Sequence, residues 1–473
     1  MHLHIERDRR STGRASSRRS SRPFLLSVLV ALLAAAPFAA SAQTPGAKAD
    51  TAEDSASLQR EFDALFQETL KRPSDLDVTL RYAVLANKIG DYEAAITALQ
   101  RILLYNPALA QARVELGVLY FRLASYGAAQ NYLEEARNGN LTTEQRERVE
   151  EYLGRLQKLQ SRHRLTGEAT AGFQHQSNAN LGPASTAVRA AGLPSTLGAE
   201  LVRKSDENIF VTGSLLYSYD LQNQDQDTIE ATANVYGSRH FRVKQFDFAY
   251  VEGTVGPRFT LKSLGMEGFS VRPFFLLNYA QLGDDPFFHS YGFGVEATKS
   301  ITRELMLRTS LEHRERNFVD SPPRATSRLL TGQTDGVTLG AQYALPHDQA
   351  VSLTGSLTRI SGRASSETNL QYGLTAVYQI AYPGPIKFPT TTARWQTSLG
   401  VSRVFNNSDA PDPSVDPVAK RLDRTWRFSI TEIVPVTTNI AVYLQLQRDI
   451  ISSSLPNFAF TNTSVTAGPR FRF

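Results

Sequence analysis

The chain of 473 residues contains no cysteine. That excludes a disulfide framework, thiolate chemistry and a lipid-anchored N-terminal cysteine. Beyond residue 42 it has no apolar run long enough to cross a bilayer as a helix. A surplus of one charge is also missing from most of the chain. The formal charge is +5, yet residues 1–42 hold seven arginines against Glu6 and Asp8, which leaves 44 basic and 44 acidic residues elsewhere. No nucleic-acid partner is therefore expected. None of the eight histidines forms a pair at helical metal-binding spacing, so no metal, no cofactor and no enzymatic activity is expected. Serines near His240, His289 and His313 are what a serine-rich alternating sequence brings together by chance, without an orienting third group.

The first segment present is a secretory signal over residues 1–42. It has a basic stretch through Arg22, an apolar run from Phe24 to Ala40, and the small residues Ala40, Ser41 and Ala42 before Gln43. Cleavage after Ala42 is the expectation. The alternative, an uncleaved anchor, is opposed by Pro37 within an already short run. Residues 43–54 read as a linker.

Over 55–162 apolar residues recur at helical spacing, and the segment repeats itself. Pro73 and Pro107, Ala83 and Gly117, Tyr92 and Tyr126, Ala95 and Ala129, and Leu99 and Leu133 are each 34 positions apart. That is the tetratricopeptide period, with small residues where paired helices approach closely. Thr142 or Thr143 caps a closing helix. In this register the concave face is lined by Asp77, Leu80, Val84, Asn87 and Lys88, then by Gln111, Val114, Val118, Phe121 and Arg122. The face is read as a partner-binding groove, with a spacer role as the alternative.

From 163 to 473 the period changes to two, and Thr, Ser, Tyr, Phe, Gly and Val replace Ala and Glu. Cutting at turn signals yields fourteen strands, many as long as a tilted bilayer crossing requires. The three longest connections, 177–207, 317–328 and 406–420, all follow odd-numbered strands. Long loops on one rim and short turns on the other are expected of an outer-membrane barrel, and both ends of the barrel segment then fall on the short-turn, periplasmic side. The fold class is thus a two-domain α + β chain: an all-α tetratricopeptide solenoid followed by a 14-stranded antiparallel transmembrane β-barrel. A soluble β-sandwich is the alternative. Arg308, Arg394, Arg403, Arg427 and Gln445 are read as lumenal, either in a polar pore or in a bracing lattice of charge pairs. In the closing T466-A-G-P-R-F-R-F473, alternation sends Phe471 and Phe473 to lipid and Arg470 and Arg472 to the lumen. Thr466, Gly468, Phe471 and Phe473 together resemble the signal that the barrel-assembly machinery reads in a last strand.

The stretch E168-A-T-A-G-F-Q-H-Q-S-N-A-N-L-G182 resembles the first strand and loop of the surface lipoprotein assembly modifier family. Gly172, Phe173, Ser177, Asn178 and Asn180 carry the match, a glycine-aromatic strand leading into Ser-Asn-x-Asn. Gln174-His175-Gln176 stands where an aspartate is usual, and the repeat domain is short. The family pairs a periplasmic tetratricopeptide domain with a fourteen-stranded barrel. The resemblance implies an outer-membrane translocator that captures a lipoprotein or secreted protein client in the periplasm and delivers it to the cell surface. Its partners would be that client, the barrel-assembly machinery and outer-membrane lipid. Alternatives are an exopolysaccharide export porin of similar architecture and a structural or adhesive barrel.

Overall fold

The computed structural model describes residues 52–72, 75–199, 201–386 and 388–473. The signal segment 1–42 and most of the 43–54 linker lie outside the described residues. Two compact units follow, meeting at Ser161 and Arg162.

Among the described residues the first unit holds six helices: α1 (Ala52–Lys71), α2 (Leu76–Ile89), α3 (Tyr92–Tyr105), α4 (Ala110–Arg122), α5 (Tyr126–Arg137) and α6 (Thr143–Gln160). Helix α1 begins at Ala52, inside the stretch read as linker. Helices α4 and α5 start 34 positions after α2 and α3, as the repeat requires. Local chemistry sets the ends. The Asp75 carboxylate accepts from the backbone of Asp77 and Val78, Gly90 takes a left-handed φ of 90° to end α2, and Thr142 forms a capping box with Gln145. Ala83, Ala86, Ala95, Leu99, Ile102, Leu116 and Leu119 fill one core and Val114, Leu133, Val149 and Leu156 a second. A Cβ on Gly117 would come within 2.5 Å of Leu133, which explains the small residue at that repeat position.

The second unit is a closed antiparallel barrel of fourteen strands. In chain order its first half is β1 (His163–Gln176), then a hairpin of β2 (Ala187–Ala190) and β3 (Leu193–Thr196) outside the barrel wall, β4 (Asp206–Asp220), β5 (Thr228–His240), β6 (Phe248–Arg258), β7 (Phe269–Leu282) and β8 (Asp285–Ser300). The second half is β9 (Leu305–Phe318), β10 (Gly332–Leu345), β11 (Gln349–Gly362), β12 (Asn369–Tyr382), β13 (Trp395–Ser408), β14 (Leu422–Pro435), β15 (Ile440–Ser453) and β16 (Phe460–Arg472). Each barrel strand pairs with its chain neighbours, and β1 closes on β16.

Exposed Val, Leu, Ile, Phe, Tyr and Trp side chains alternate along the strands on the outer face, while many charged and amide side chains face inward and a smaller set lies on the outer face toward the rims. Arg258 bonds Glu230 at 2.7 Å and Glu296 at 2.8 Å, Arg272 reaches Glu230 at 3.2 Å, and Arg427 bonds Asp449 at 2.7 Å. The lumen is therefore lined by charge pairs between nearby strands that brace its wall. Arg308 and Gln445 belong to this inner face, as expected. Arg403 does not. It shares the parity of the exposed Val401 and stacks on Phe405 and Trp426 outside the barrel. Arg394 lies in the 383–394 turn and pairs with Asp348, so it too is corrected from lumen to rim. That turn is twelve residues long, so the short-turn rim is less uniform than the sequence suggested.

Candidate functional site

Three features carry the residues singled out by the sequence: the seam between β1 and β16, the first long loop, and the exposed side of the repeat helices.

At the seam, pairing runs from Glu168–Arg472 to Thr170–Arg470, is interrupted, and resumes at Phe173–Ala467. The interruption coincides with Gly172 and Gly468, which face each other across it. A Cβ on Gly172 would stand 2.0 Å from the Ala467 carbonyl oxygen, and one on Gly468 only 1.9 Å from that of Ala171. Both positions therefore need glycine for close approach of two backbones. Beside them Pro469 offers no N–H to the ladder. Inside, the seam is held by Arg470 on Glu168 and by Gln174 on the Thr466 hydroxyl at 3.1 Å. Phe471 and Phe473 are exposed on the outer face, where alternation placed them, and Phe173 is exposed as well.

Ser177, Asn178 and Asn180 begin the first loop and tie it down. The Asn178 side chain is fully buried. Its amide donates to the Gly182 carbonyl at 2.9 Å, and its oxygen accepts from the Gly182 N–H at 3.0 Å. Asn180 does the same at longer range, donating to the Val202 carbonyl at 2.8 Å and accepting from the Lys204 N–H at 2.7 Å. The start of the loop is tied to the last strand, because the Asn178 N–H donates to Asn462 at 3.0 Å and the Thr463 N–H to the Ser177 hydroxyl at 2.8 Å. This latch turns Leu181 towards an apolar cluster of Phe248, Tyr250, Leu282, Phe287, Phe318 and Leu330 at the long-loop rim.

The β2–β3 hairpin, which alternation alone did not disclose, rests on two other loops of the same rim. Asn457 bonds the Arg189 backbone in both directions at 2.9 Å, and the Ala191 and Gly192 N–H groups donate to Ser414 and Val415 at 3.0 Å. The Arg189 guanidinium bonds Asp416. The Asp416 carboxyl is pushed down to about 2, first by the N–H donors of Ala419 and Val418 and then by Arg189. The turn at Ala191-Gly192, with φ of 50° and 84°, is the one local signal of this hairpin in the sequence.

Within the helical unit, α2 keeps Asp77, Val84 and Lys88 exposed, with Leu80 and Asn87 half-buried. Arg122 of α4 donates to Asn87 at 2.8 Å, joining two of the candidate groove positions. Gln111 is half-buried. Val114 and Val118 are corrected: both are fully buried and cannot line an open face. Phe121 is half-covered, its ring 5.1 Å from Tyr152 of α6. For Val114 and Phe121 the reason is that the closing helix packs on the preceding unit and covers the side of α4 that faces it, through Val149 and Leu156. Of the candidate groove residues, Asp77, Val84, Lys88 and Arg122 remain exposed.

No family model matches the chain, and no curated protein does. Among solved structures, MamA matches the N-terminal part at 16% identity over 23% of this chain and 60% of that one, with a TM-score of 0.19. The chain thus spans about 60% of that protein's length. The barrel is similar to an outer-membrane channel from Pseudomonas putida F1, at 14% identity over 65% of this chain and 95% of that one, TM-score 0.34. A FadL homologue from Pseudomonas aeruginosa matches at 10% identity over 65% and 90%, TM-score 0.37. The barrel is of the outer-membrane type. The closed fourteen-strand wall and its apolar outer face carry that statement.

Proposed function

We propose that this chain is an outer-membrane translocator of the surface lipoprotein assembly modifier kind. In this reading the helical repeats lie in the periplasm and capture a lipoprotein or secreted protein through the face of α2, and the barrel delivers the client to the cell surface. It works without catalysis or a cofactor. Its last strand, through Thr466, Gly468, Phe471 and Phe473, is read by the barrel-assembly machinery.

The observation that supports this most is where the residues of the resemblance act. Gly172 thins the barrel seam, and Ser177, Asn178 and Asn180 latch the loop at the long-loop rim. These are the two places, wall and mouth, by which a polypeptide can leave a barrel. The exposed Asp77, Val84 and Lys88 of α2 add a mixed apolar and charged face suited to an extended or helical peptide.

The test is a surface comparison. Deleting the gene and shaving intact cells with protease should remove one or a few proteins from the surface. Full-length protein should restore them, and a chain lacking residues 51–160 should not. An unchanged surface proteome accompanied by loss of a surface polysaccharide would refute the reading.

A further inference from the structure

The outer face of β13, β14 and β15 carries cations where a lipid-facing wall has none elsewhere along those strands. Arg403 lies five residues before the end of β13 at Ser408, and Arg448 five before the end of β15 at Ser453. Arg424 lies between them, two residues after β14 begins at Leu422. All three share the parity of exposed apolar neighbours, Val401, Trp426, Phe428 and Leu446, and so point away from the lumen. They stand on the half of the wall next to the long loops.

The register builds them into a cradle. Arg403 pairs with Trp426 and Arg448 with Phe428, so the two guanidinium groups flank the stacked Trp426 and Phe428 rings from strands two apart, a separation of roughly 10 Å. The Arg403 guanidinium is 4.6 Å from the Trp426 ring centroid and 5.0 Å from that of Phe405. Arg448 donates to the Thr463 hydroxyl at 3.1 Å. Among the described residues, none of the three forms an ion pair. The one carboxylate on the outer face of β13 to β16, Glu432, sits at the opposite end, bonded to Tyr382 at 3.1 Å. Exposed Leu399, Ile430 and Leu446 continue the face toward the short-turn rim.

We propose that this patch binds an outer-leaflet lipid bearing two phosphate groups on its head. Positive charge on a barrel wall is strongly unfavourable at mid-bilayer and close to neutral at the interface, and a lipid phosphate supplies the missing counter-charge there. Two cations on either side of an aromatic platform suit two phosphates better than one. The apolar side chains below them accept acyl chains, which a free phosphate lacks. The leaflet assignment rests on the translocator reading, in which the long loops are outside.

The test uses purified full-length protein in detergent, titrated with hexa-acylated diphosphoryl lipid A and followed by native mass spectrometry. Monophosphoryl lipid A, phosphatidylglycerol and inorganic phosphate are run in parallel. Diphosphoryl lipid A should bind at least tenfold more tightly than the others. R403Q/R424Q/R448Q should lose at least tenfold in affinity, and R403K/R424K/R448K should keep most of it. The pair R359Q/D409N, which removes an outward ion pair without changing net charge, should bind as the parent does. If the triple glutamine variant fails to give a folded, heat-modifiable band, Arg448→Gln alone should cost about threefold. Equal binding by the glutamine variants, or equal binding of phosphatidylglycerol, overturns the proposal. Binding in detergent does not depend on orientation, so that failure would leave the translocator reading standing, and loss of client delivery would leave the lipid site standing.

Discussion

Asn178→Ala tests whether the first loop is held by its latch. The side chain is fully buried and makes two hydrogen bonds to the backbone of Gly182, at 2.9 and 3.0 Å. Truncation leaves that N–H and that carbonyl without partners. A buried unsatisfied backbone group costs about 1–3 kcal/mol, and some water entry softens the sum, so a net loss of roughly 2–4 kcal/mol for the closed loop is expected. At about 1.4 kcal/mol per decade, the balance between open and closed loop shifts roughly thirty- to a thousandfold. Hydrogen exchange reads this directly. The amides of Ala179, Gly182 and Lys204 are each bonded within the loop, to Lys204, Asn178 and Asn180 respectively. Their exchange should accelerate by about the factor of the shift, while amides between β10 and β11 stay unchanged. A change of less than about threefold in exchange, in a barrel that still runs as a folded band, would refute the latch.

Three further outcomes follow from the same geometry. Gly468→Ala places a Cβ 1.9 Å from the Ala171 carbonyl oxygen, so the seam must spread. The barrel should lose more than about 2 kcal/mol, read as a lower temperature for conversion of the heat-modifiable band, and an unchanged temperature would contradict the close approach. Val114→Ala should cost the helical unit about 2 kcal/mol, while Val84→Ala, on the exposed face, should cost less than about 0.5, both measured by the thermal loss of helical signal. Asp416 holds its proton less tightly folded, at about 2, than the roughly 3.9 of an unfolded aspartate. Its contribution to hairpin docking is complete above about pH 4 and is lost as pH falls toward 2. A spin label at Ser195→Cys, in a chain that has no other cysteine, should gain mobility over that interval and not between pH 8 and 5.

Both periods were legible because each is local. A helix face repeats every 3.6 residues and a strand face every two, so the chain alone placed α2 to α5 and all fourteen barrel strands, with Phe471 and Phe473 outside and Arg470 inside. Parity even held the answer for Arg403, which stands two residues from Val401 and from Phe405. Reading polarity in place of parity put it in the lumen. What no local rule contains is which distant residues meet. Gly172 and Gly468 need glycine because the first and last strands close on each other, and Asn178 finds Asn462 across that same seam. Val114 and Phe121 lie on a helix face that repeat geometry alone leaves open, and the closing helix packs against that face. Arg403, Arg424 and Arg448 converge because the register of three strands brings them to one patch. Side-chain periodicity is a property of the backbone a residue sits in, and so the sequence by itself determined the elements and their faces. Closure, latching and the grouping of charge depend on register between strands far apart in the chain, and only the tertiary structure decided those.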